Sequence, residues 1–161
     1  MEEKDIPPCM IYIDKEGSWF HKGAEMIHRE IIRHLYQYME FDPQGRYIVN
    51  WMGDRCYVEV EDTPFVVKRA VFEKAYQSVG SRVILYLCDE TKEVLDPDTL
   101  FVGNYNVLYC RVRDGRFPSR FSRAAYYQLG KYIEEDNGRY YLPLDGKKYD
   151  IKKRSATGPA S

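Results

Sequence analysis

The feature that most constrains the fold is the ten-residue segment Val58–Val67. Its first four residues alternate valine with glutamate, and a period of two residues is typical of a half-buried β-strand. Pro64 cannot donate a backbone hydrogen bond to a sheet, so this strand is predicted to stop before it. A second apolar run begins at Phe65. The segment therefore predicts a hinge between two halves, residues 11–64 and residues 65–153.

Both ends of the chain differ in composition from the part between them. Residues 1–10 open with an acidic, polar run, and residues 154–161 are mostly small or polar. Segments of this kind bury too little apolar surface to offset the entropy of ordering them. We therefore predict a flexible tail over residues 1–10 and a disordered tail over residues 154–161.

The charge and hydropathy of the chain argue against several classes of partner. Its 161 residues carry a formal net charge of −1, which gives no broad attraction for extended nucleic acid or for an anionic membrane. No apolar run is long enough to cross a bilayer, and the acidic start of the chain is unlike the apolar region of a signal peptide. A cytoplasmic location without a membrane partner is therefore expected.

The spacing of cysteine and histidine favours neither a disulfide nor a metal site. The four cysteines are far apart and include no C-x-x-C pair: Cys9, Cys56, Cys88 and Cys110. The last three lie in apolar, strand-like runs, which predicts buried, reduced thiols and leaves a thiol redox sensor open. His28 and His34 are six residues apart and would face different sides of a helix. No metal ion, no cofactor and no disulfide are therefore expected.

Apolar periodicity and turn residues predict two helices in a mostly β chain. The first helix is predicted over residues 24–40, and the second over residues 123–134, after the capping residue Ser122. The predicted strands lie at residues 11–14, 18–21, 47–52, 55–61, 65–74, 82–88, 91–95, 107–113, 139–144 and 147–152. Residues 72–79 fit either a strand or a helix.

Repeated turn residues indicate an internal duplication. Three glycine pairs carry the repeat: Gly45 and Gly138, Gly53 and Gly146, and Gly17 and Gly115. The first two pairs are each 93 residues apart and the third is 98 residues apart, and such an offset is typical of a repeated supersecondary unit. We therefore predict an α+β fold with duplicated hairpin–helix–hairpin units on antiparallel sheets, and a ligand groove between the copies.

Two segments of the chain resemble a bacterial family called domain of unknown function 1285. The first is the run Val-Glu-Val-Glu-Asp-Thr-Pro-Phe-Val over residues 58–66. The second, residues 120–129, resembles the R-x-[NS]-R-x-x-Y-Y-x-L helix opening of the family. The chain departs from the family at residues 50–53 and 23–26, where many members carry T-P-V-E and G-x-P-I segments. The resemblance covers residues 11–150.

The resemblance implies a duplicated α+β core whose second half is superficially like a pleckstrin-homology barrel. It also implies ligand binding and signalling, with a nucleotide-like ligand at the interface between the halves, and it implies no activity. We therefore expect a non-enzymatic module that binds a small anionic or nucleotide-like ligand. The alternatives are a protein-interaction module that uses the C-terminal half and an enzyme that depends on carboxylates.

The predicted site has two groups of residues. The predicted ligand-binding residues are Glu61, Asp62, Phe65, Arg120, Arg123 and Tyr127. The first three lie where the first half ends, and the last three open the second predicted helix. An arginine there can bind a phosphate through its forked guanidinium, and a helix N-terminus adds unpaired N–H groups. No catalytic or metal-ligating residue is predicted.

Structural roles remain open for the same side chains. The arginines could pair with carboxylates, with the neighbouring tyrosines in the core. Glu59, Glu61 and Asp62 could hold a hard cation or act as acid and base, or could form a solvated strand face. The basic runs at residues 147–148 and 152–154 are predicted to be a solvated strand edge and tail.

Overall fold

The protein is mostly β-sheet, with two α-helices and two mixed sheets. The structure is a computed structural model that describes residues 5–154, so the predicted tail beyond Arg154 lies outside the described residues. The chain divides after Pro64 into an N-terminal unit and a C-terminal unit that begins at Phe65. Both sheets are open, with a strand edge at each end. In the described part of the chain, no helix has the length and apolar character needed to span a membrane.

The N-terminal unit is a six-stranded sheet with one helix. Its elements are β1 (Pro8–Ile13), β2 (Trp19–His21), β3 (Ala24–Glu25), α1 (Arg29–Gln37), β4 (Glu40–Phe41), β5 (Tyr47–Trp51) and β6 (Asp54–Val60). The strand order is β3-β2-β1-β6-β5-β4. Only the central pair, β1 and β6, is parallel among the strand pairs described in this sheet. Because β1 already begins at Pro8, the predicted flexible tail over residues 1–10 is too long.

A hydrogen-bonded aromatic pair lies in the core of this unit. The rings of Trp19 and Tyr36 meet edge to face with centroids 4.8 Å apart, and both side chains are 1% exposed. The Nε1–H group of Trp19 donates to the Tyr36 hydroxyl at 2.9 Å. That hydroxyl donates to the carbonyl oxygen of Pro64 at 2.7 Å. The pair therefore ties β2 and α1 to the end of the unit.

Helix α1 is shorter than the predicted helix over residues 24–40. Ala24 and Glu25 form β3 against β2, and the N–H group of Met26 donates to the carbonyl oxygen of Trp19. Pairing with β2 therefore satisfies backbone groups that the apolar spacing had assigned to a helix. The helix begins after His28, whose backbone is extended.

Cys9 and Cys56 form a disulfide bond, so the prediction of no disulfide is wrong. Their sulfur atoms are 2.06 Å apart and their Cα atoms 5.0 Å apart. Cys9 lies in β1 and Cys56 in β6, which pair in parallel, and both side chains are buried. Strand pairing brings together residues 47 positions apart, which spacing alone does not indicate. Cys88 and Cys110 are buried and form no disulfide among the described residues.

The C-terminal unit is a nine-stranded sheet with one α-helix. Its elements are β7 (Phe65–Glu73), β8 (Arg82–Leu87), β9 (Lys92–Val94), β10 (Phe101–Val102), β11 (Leu108–Val112), β12 (Phe117–Phe121), α2 (Arg123–Gly130), β13 (Glu134–Asp136), β14 (Arg139–Leu144) and β15 (Lys147–Lys153). Single 3₁₀ turns lie at Pro97–Thr99 and Asn104–Asn106. The strand order is β13-β14-β15-β10-β11-β12-β7-β8-β9. The β10–β15 and β12–β7 pairs are parallel.

Several elements of this unit differ from the sequence prediction. Helix α2 ends at Gly130, because Glu134–Asp136 pairs with β14 instead of continuing the helix. Strands β10 and β12 were not among the predicted strands, and β12 pairs with both β11 and β7 although it contains Pro118. The ambiguous residues 72–79 contain no helix: β7 ends at Glu73 and an irregular loop follows.

Candidate functional site

A β-bulge at Lys68 shapes one corner of the C-terminal unit. Val67 lies opposite Leu87 in the β7–β8 ladder, and Arg69 lies opposite Tyr86. Lys68 is therefore an extra residue in β7 without an opposite residue in β8. Bulges of this kind bend a strand and redirect side chains, and they are common beside functional sites.

Helix α2 is anchored to this bulge by hydrogen bonds. The backbone N–H group of Ser122 donates to the carbonyl oxygen of Val67 at 2.9 Å, and the Ser122 hydroxyl donates to that of Lys68 at 3.3 Å. The N–H group of Ala70 donates to Oε1 of Gln128 at 2.8 Å. The bulge therefore fixes where α2 begins.

Three cationic residues lie on the three elements that join at the start of α2. Lys68 is the bulge residue, Arg120 lies on β12 opposite Val66, and Arg123 is the first residue of the helix. The Ser122 hydroxyl accepts from the N–H group of Ala125 at 3.1 Å, which leaves the preceding helical N–H groups without intrahelical partners. We call Lys68, Arg120 and Arg123 the α2 corner. Its side chains and the helix dipole all favour an anion.

Tyr127 adds an accessible ring beside the α2 corner. It follows Arg123 by four residues and so lies on the same side of the helix. Its side chain is 60% exposed, and it meets Tyr126 edge to face at 5.6 Å between ring centroids. Such a ring can stack on a planar ligand without disturbing the core.

Phe65 lies in the core of the C-terminal unit. Its side chain is 0% exposed, its ring centroid is 5.4 Å from that of Phe117, and the guanidinium carbon of Arg113 lies 5.0 Å from its ring centroid. A ligand could reach this ring only after the core opened. Because Phe65 packs in the core, the apolar run after Pro64 has a structural explanation.

Glu61 and Asp62 end the N-terminal unit. Oε1 of Glu61 accepts a hydrogen bond from the backbone N–H group of Lys15 at 2.9 Å, and its own N–H group donates to the carbonyl oxygen of Ile13 at 2.9 Å. Burial and then the Glu61 carboxylate raise the pKa of Tyr12. Glu61 therefore has a structural role in closing the β1–β2 hairpin. Asp62 is half-buried.

Of the six predicted site residues, Arg120, Arg123 and Tyr127 lie around the start of α2, and Glu61 and Asp62 are consecutive in the other unit. That these two groups of residues line one cleft stays a prediction. Lys68 was missed by sequence reasoning, because nothing in the local sequence marks a bulge.

The most buried carboxylate of the described residues also has a structural explanation. Asp89 is 2% exposed, and it accepts hydrogen bonds from the Arg113 guanidinium and from the Thr91 hydroxyl. Burial raises the pKa of Glu93, although a backbone hydrogen bond from Arg113 opposes the change. Among residues 5–154, no group of three or more His, Cys, Asp or Glu side chains is placed to hold a metal ion.

The N-terminal unit contains an apolar groove of about 840 Å³ between α1 and the β5–β6 turn. Ile31, Tyr38 and Met52 line it and are exposed. Glu30 is the only acidic lining residue, and no lysine or arginine lines the groove. It therefore does not suit an anionic ligand.

Comparison with known proteins finds similarity in structure only. No family model matches the sequence, and no curated protein matches it. A crystal structure of a DUF1285 family protein from Silicibacter pomeroyi DSS-3 has a TM-score of 0.72 at 17% identity, covering 91% of this chain and 83% of that one. A crystal structure of a DUF1285 family protein from Shewanella baltica OS155 has a TM-score of 0.59 at 17% identity, covering 76% of this chain and 91% of that one.

At this level of identity the similarity establishes the fold alone. Both structures nevertheless belong to the family that residues 58–66 and 120–129 resemble. The chain therefore resembles the domain of unknown function 1285 family in its three-dimensional structure.

Proposed function

We propose that this chain is a non-enzymatic binding module that takes a small anionic or nucleotide-like ligand in a signalling or regulatory role. The observation that carries the proposal is the α2 corner, where a bulge, a strand and a capped helix N-terminus each contribute a cation. A guanidinium can donate two parallel hydrogen bonds to one phosphate. Tyr127 supplies a ring for a planar part of the ligand.

Arg123 is the residue on which the proposal depends most. It is exposed, it stands at the first helical position, and α2 is otherwise anchored through Ser122 and Gln128. A charge-assisted hydrogen bond contributes about 1.5–3 kcal/mol. Arg123→Ala should therefore weaken anion binding by that amount and leave the fold intact. Lys92→Ala is a matched control, because Lys92 is an exposed cation on edge strand β9.

The test begins with mass spectrometry of small molecules released from the purified, denatured protein. Calorimetric titration with mononucleotides and inorganic phosphate then compares the wild type, Arg123→Ala and Lys92→Ala. Loss of affinity in Arg123→Ala alone supports the α2 corner. Binding that is indifferent to Arg123→Ala contradicts it.

Glu61 and Asp62 belong to the proposal as predicted ligand-binding carboxylates at the end of the N-terminal unit. Glu61 is exposed and Asp62 is half-buried. Glu61→Gln and Asp62→Asn should then change affinity for a nucleotide. Unchanged affinity in both variants removes the carboxylates from the proposal.

The duplication and the pleckstrin-homology likeness remain part of the proposal. The order β3-β2-β1-β6-β5-β4 and the order β12-β11-β10-β15-β14-β13 have the same sequence of parallel and antiparallel pairs, and a helix follows β3 and β12. This supports a repeat. It also favours matching Gly115 with Gly23 rather than Gly17, since Gly23 and Gly115 both occupy turns at positive φ between equivalent strands.

A protein-interaction role of the C-terminal half is the alternative, and absence of any small-molecule binding would favour it.

The proposed location is the cytoplasm, although disulfides usually persist in oxidising compartments. Thiol labelling in intact cells tests the location. Fully labelled Cys9 and Cys56 would agree with a reducing cytoplasm.

A further inference from the structure

A second pocket lies in the C-terminal unit, at the end of the β14–β15 hairpin that adjoins β10. Its volume is about 400 Å³, within the range of small-molecule sites. Tyr140 lies opposite Ile151 in the β14–β15 ladder, and Val102 lies opposite Lys153 in the parallel β10–β15 ladder. These strands give the pocket an apolar floor, with the Tyr140 ring 47% exposed at its side.

Three cations line the rim of this pocket: Arg139, Lys152 and Lys153. None of them has an ion-pair partner within the described residues 5–154. Asp150 is the single acidic lining residue, so the lining has an excess of two positive charges. A concave site with unneutralised cations and an exposed ring is complementary to an anion with an apolar body.

The N-terminal unit provides an internal contrast. Arg46 occupies the same place in its Gly-Arg-Tyr sequence as Arg139, but Arg46 is held by Asp42 at 2.9 Å. In the parallel β1–β6 ladder, Glu59 lies opposite Tyr12, whereas Lys152 lies opposite Phe101 in the β10–β15 ladder. The C-terminal hairpin therefore carries a cation where the N-terminal one carries a carboxylate. Asp136 lies opposite Arg139 in the β13–β14 ladder, but within residues 5–154 no ion pair joins the two.

We propose that this pocket binds a phosphate monoester or diphosphate group, with the lining cations Arg139, Lys152 and Lys153 supplying positive charge and Tyr140 against the apolar part of the molecule. The forked guanidinium suits a bidentate contact with phosphate, and the two ammonium groups balance the remaining charge. The pocket is separate from the α2 corner, because β10 and β12 are separated by β11 in the sheet. It does not depend on the function proposed for that corner.

The test uses inorganic pyrophosphate and two-dimensional NMR of the full-length, ¹⁵N-labelled protein. Pyrophosphate should shift the backbone amide signals of Gly138, Arg139, Lys152 and Lys153. The variant Lys152→Gln/Lys153→Gln should weaken binding at least about tenfold. Both lysines are exposed, so the melting temperature of the variant should equal that of the wild type.

Lys147→Gln/Lys148→Gln is the matched control. It removes the same charge from the opposite end of the same strand and should leave pyrophosphate affinity unchanged. Arg123→Ala should also leave the shifts at Gly138 and Arg139 in place, which separates this site from the α2 corner. Equal loss in both lysine variants overturns the proposal, and so does absence of shifts at these residues when the vesicle binding tested next is also absent.

A second arm distinguishes a soluble ligand from a lipid headgroup. Sedimentation with phosphatidylcholine vesicles containing phosphatidic acid is compared for the wild type and Lys152→Gln/Lys153→Gln. Vesicle binding that the variant loses assigns the phosphate to a lipid. Pyrophosphate binding without vesicle binding assigns it to a soluble molecule. Absence of both overturns the proposal.

Discussion

Breaking the Cys9–Cys56 bond should destabilise the N-terminal unit by about 4 kcal/mol. The bond joins residues 47 positions apart. In the chain-entropy treatment, closing a loop of that length restricts the unfolded chain enough to account for about 4 kcal/mol at 25 °C. We expect the β1–β6 ladder to persist in the folded protein after reduction, because its backbone pairing extends beyond the cysteines. The lost free energy of unfolding therefore comes chiefly from the gain in freedom of the unfolded chain.

Tryptophan fluorescence during urea denaturation measures unfolding of the N-terminal unit, which contains the disulfide. The chain has two tryptophans, Trp19 and Trp51, and both lie in the N-terminal unit. With a slope of about 2 kcal/mol per molar urea, reduction should lower the midpoint by about 2 M. The variant Cys9→Ser/Cys56→Ser should have the lower midpoint from the start and should not respond to a reductant.

A thiol titration gives an independent check of the pairing. Denatured without a reductant, the protein should release only the thiols of Cys88 and Cys110 to a labelling reagent, because these two are free. Labelling of all four cysteines would refute the pairing. A urea midpoint that stays in place on reduction would refute the loop-entropy reasoning even if the bond is present.

Two further predictions concern the N-terminal unit. Tyr36→Phe removes the hydroxyl shared by Trp19 and Pro64, so it should cost about 1–3 kcal/mol of unfolding free energy, measured by the same urea titration. Desolvation acts to raise the pKa of Asp42, but hydrogen bonds and charge from Arg46 outweigh it and hold the pKa below its usual value. The resulting stabilisation is present above the unfolded pKa and is lost as pH falls through the folded pKa. Asp42→Asn should therefore flatten the acid limb of a plot of melting temperature against pH.

The hairpin turns could be predicted from the sequence because the physical requirement is local. Gly53 and Gly146 stand at φ values of 88° and 80°, directly after residues that are also at positive φ. Such a pair suits a two-residue hairpin turn, and glycine adopts this conformation at least cost. Ser122 likewise caps α2 as predicted, since the cap depends on a residue three positions away.

The start of α1 and the disulfide could not be predicted, because both depend on distant strands. Ala24 and Glu25 fit a helical apolar pattern, yet pairing with β2 decides their conformation. The disulfide follows from the parallel contact of β1 with β6, and that contact has no signature in cysteine spacing. Local propensity is a weak constraint wherever a neighbouring strand satisfies the backbone.

The sequence also does not show which basic residues are available to a ligand. In the sequence, Gly45-Arg46-Tyr47 and Gly138-Arg139-Tyr140 are equivalent, and a repeat would suggest equivalent roles. In the structure, Arg46 is neutralised by Asp42, whereas Arg139 lines a pocket with Lys152 and Lys153. These lysines reach it through the β14–β15 register, and β10 supplies the opposite wall. Asp136 also lies opposite Arg139 in the β13–β14 ladder, yet among the described pairs it is Asp42 that forms an ion pair with its arginine. Whether an arginine stabilises a turn or is available to a ligand thus depends on side-chain geometry that the repeat does not specify, so a basic run assigned to a solvated edge can line a binding site.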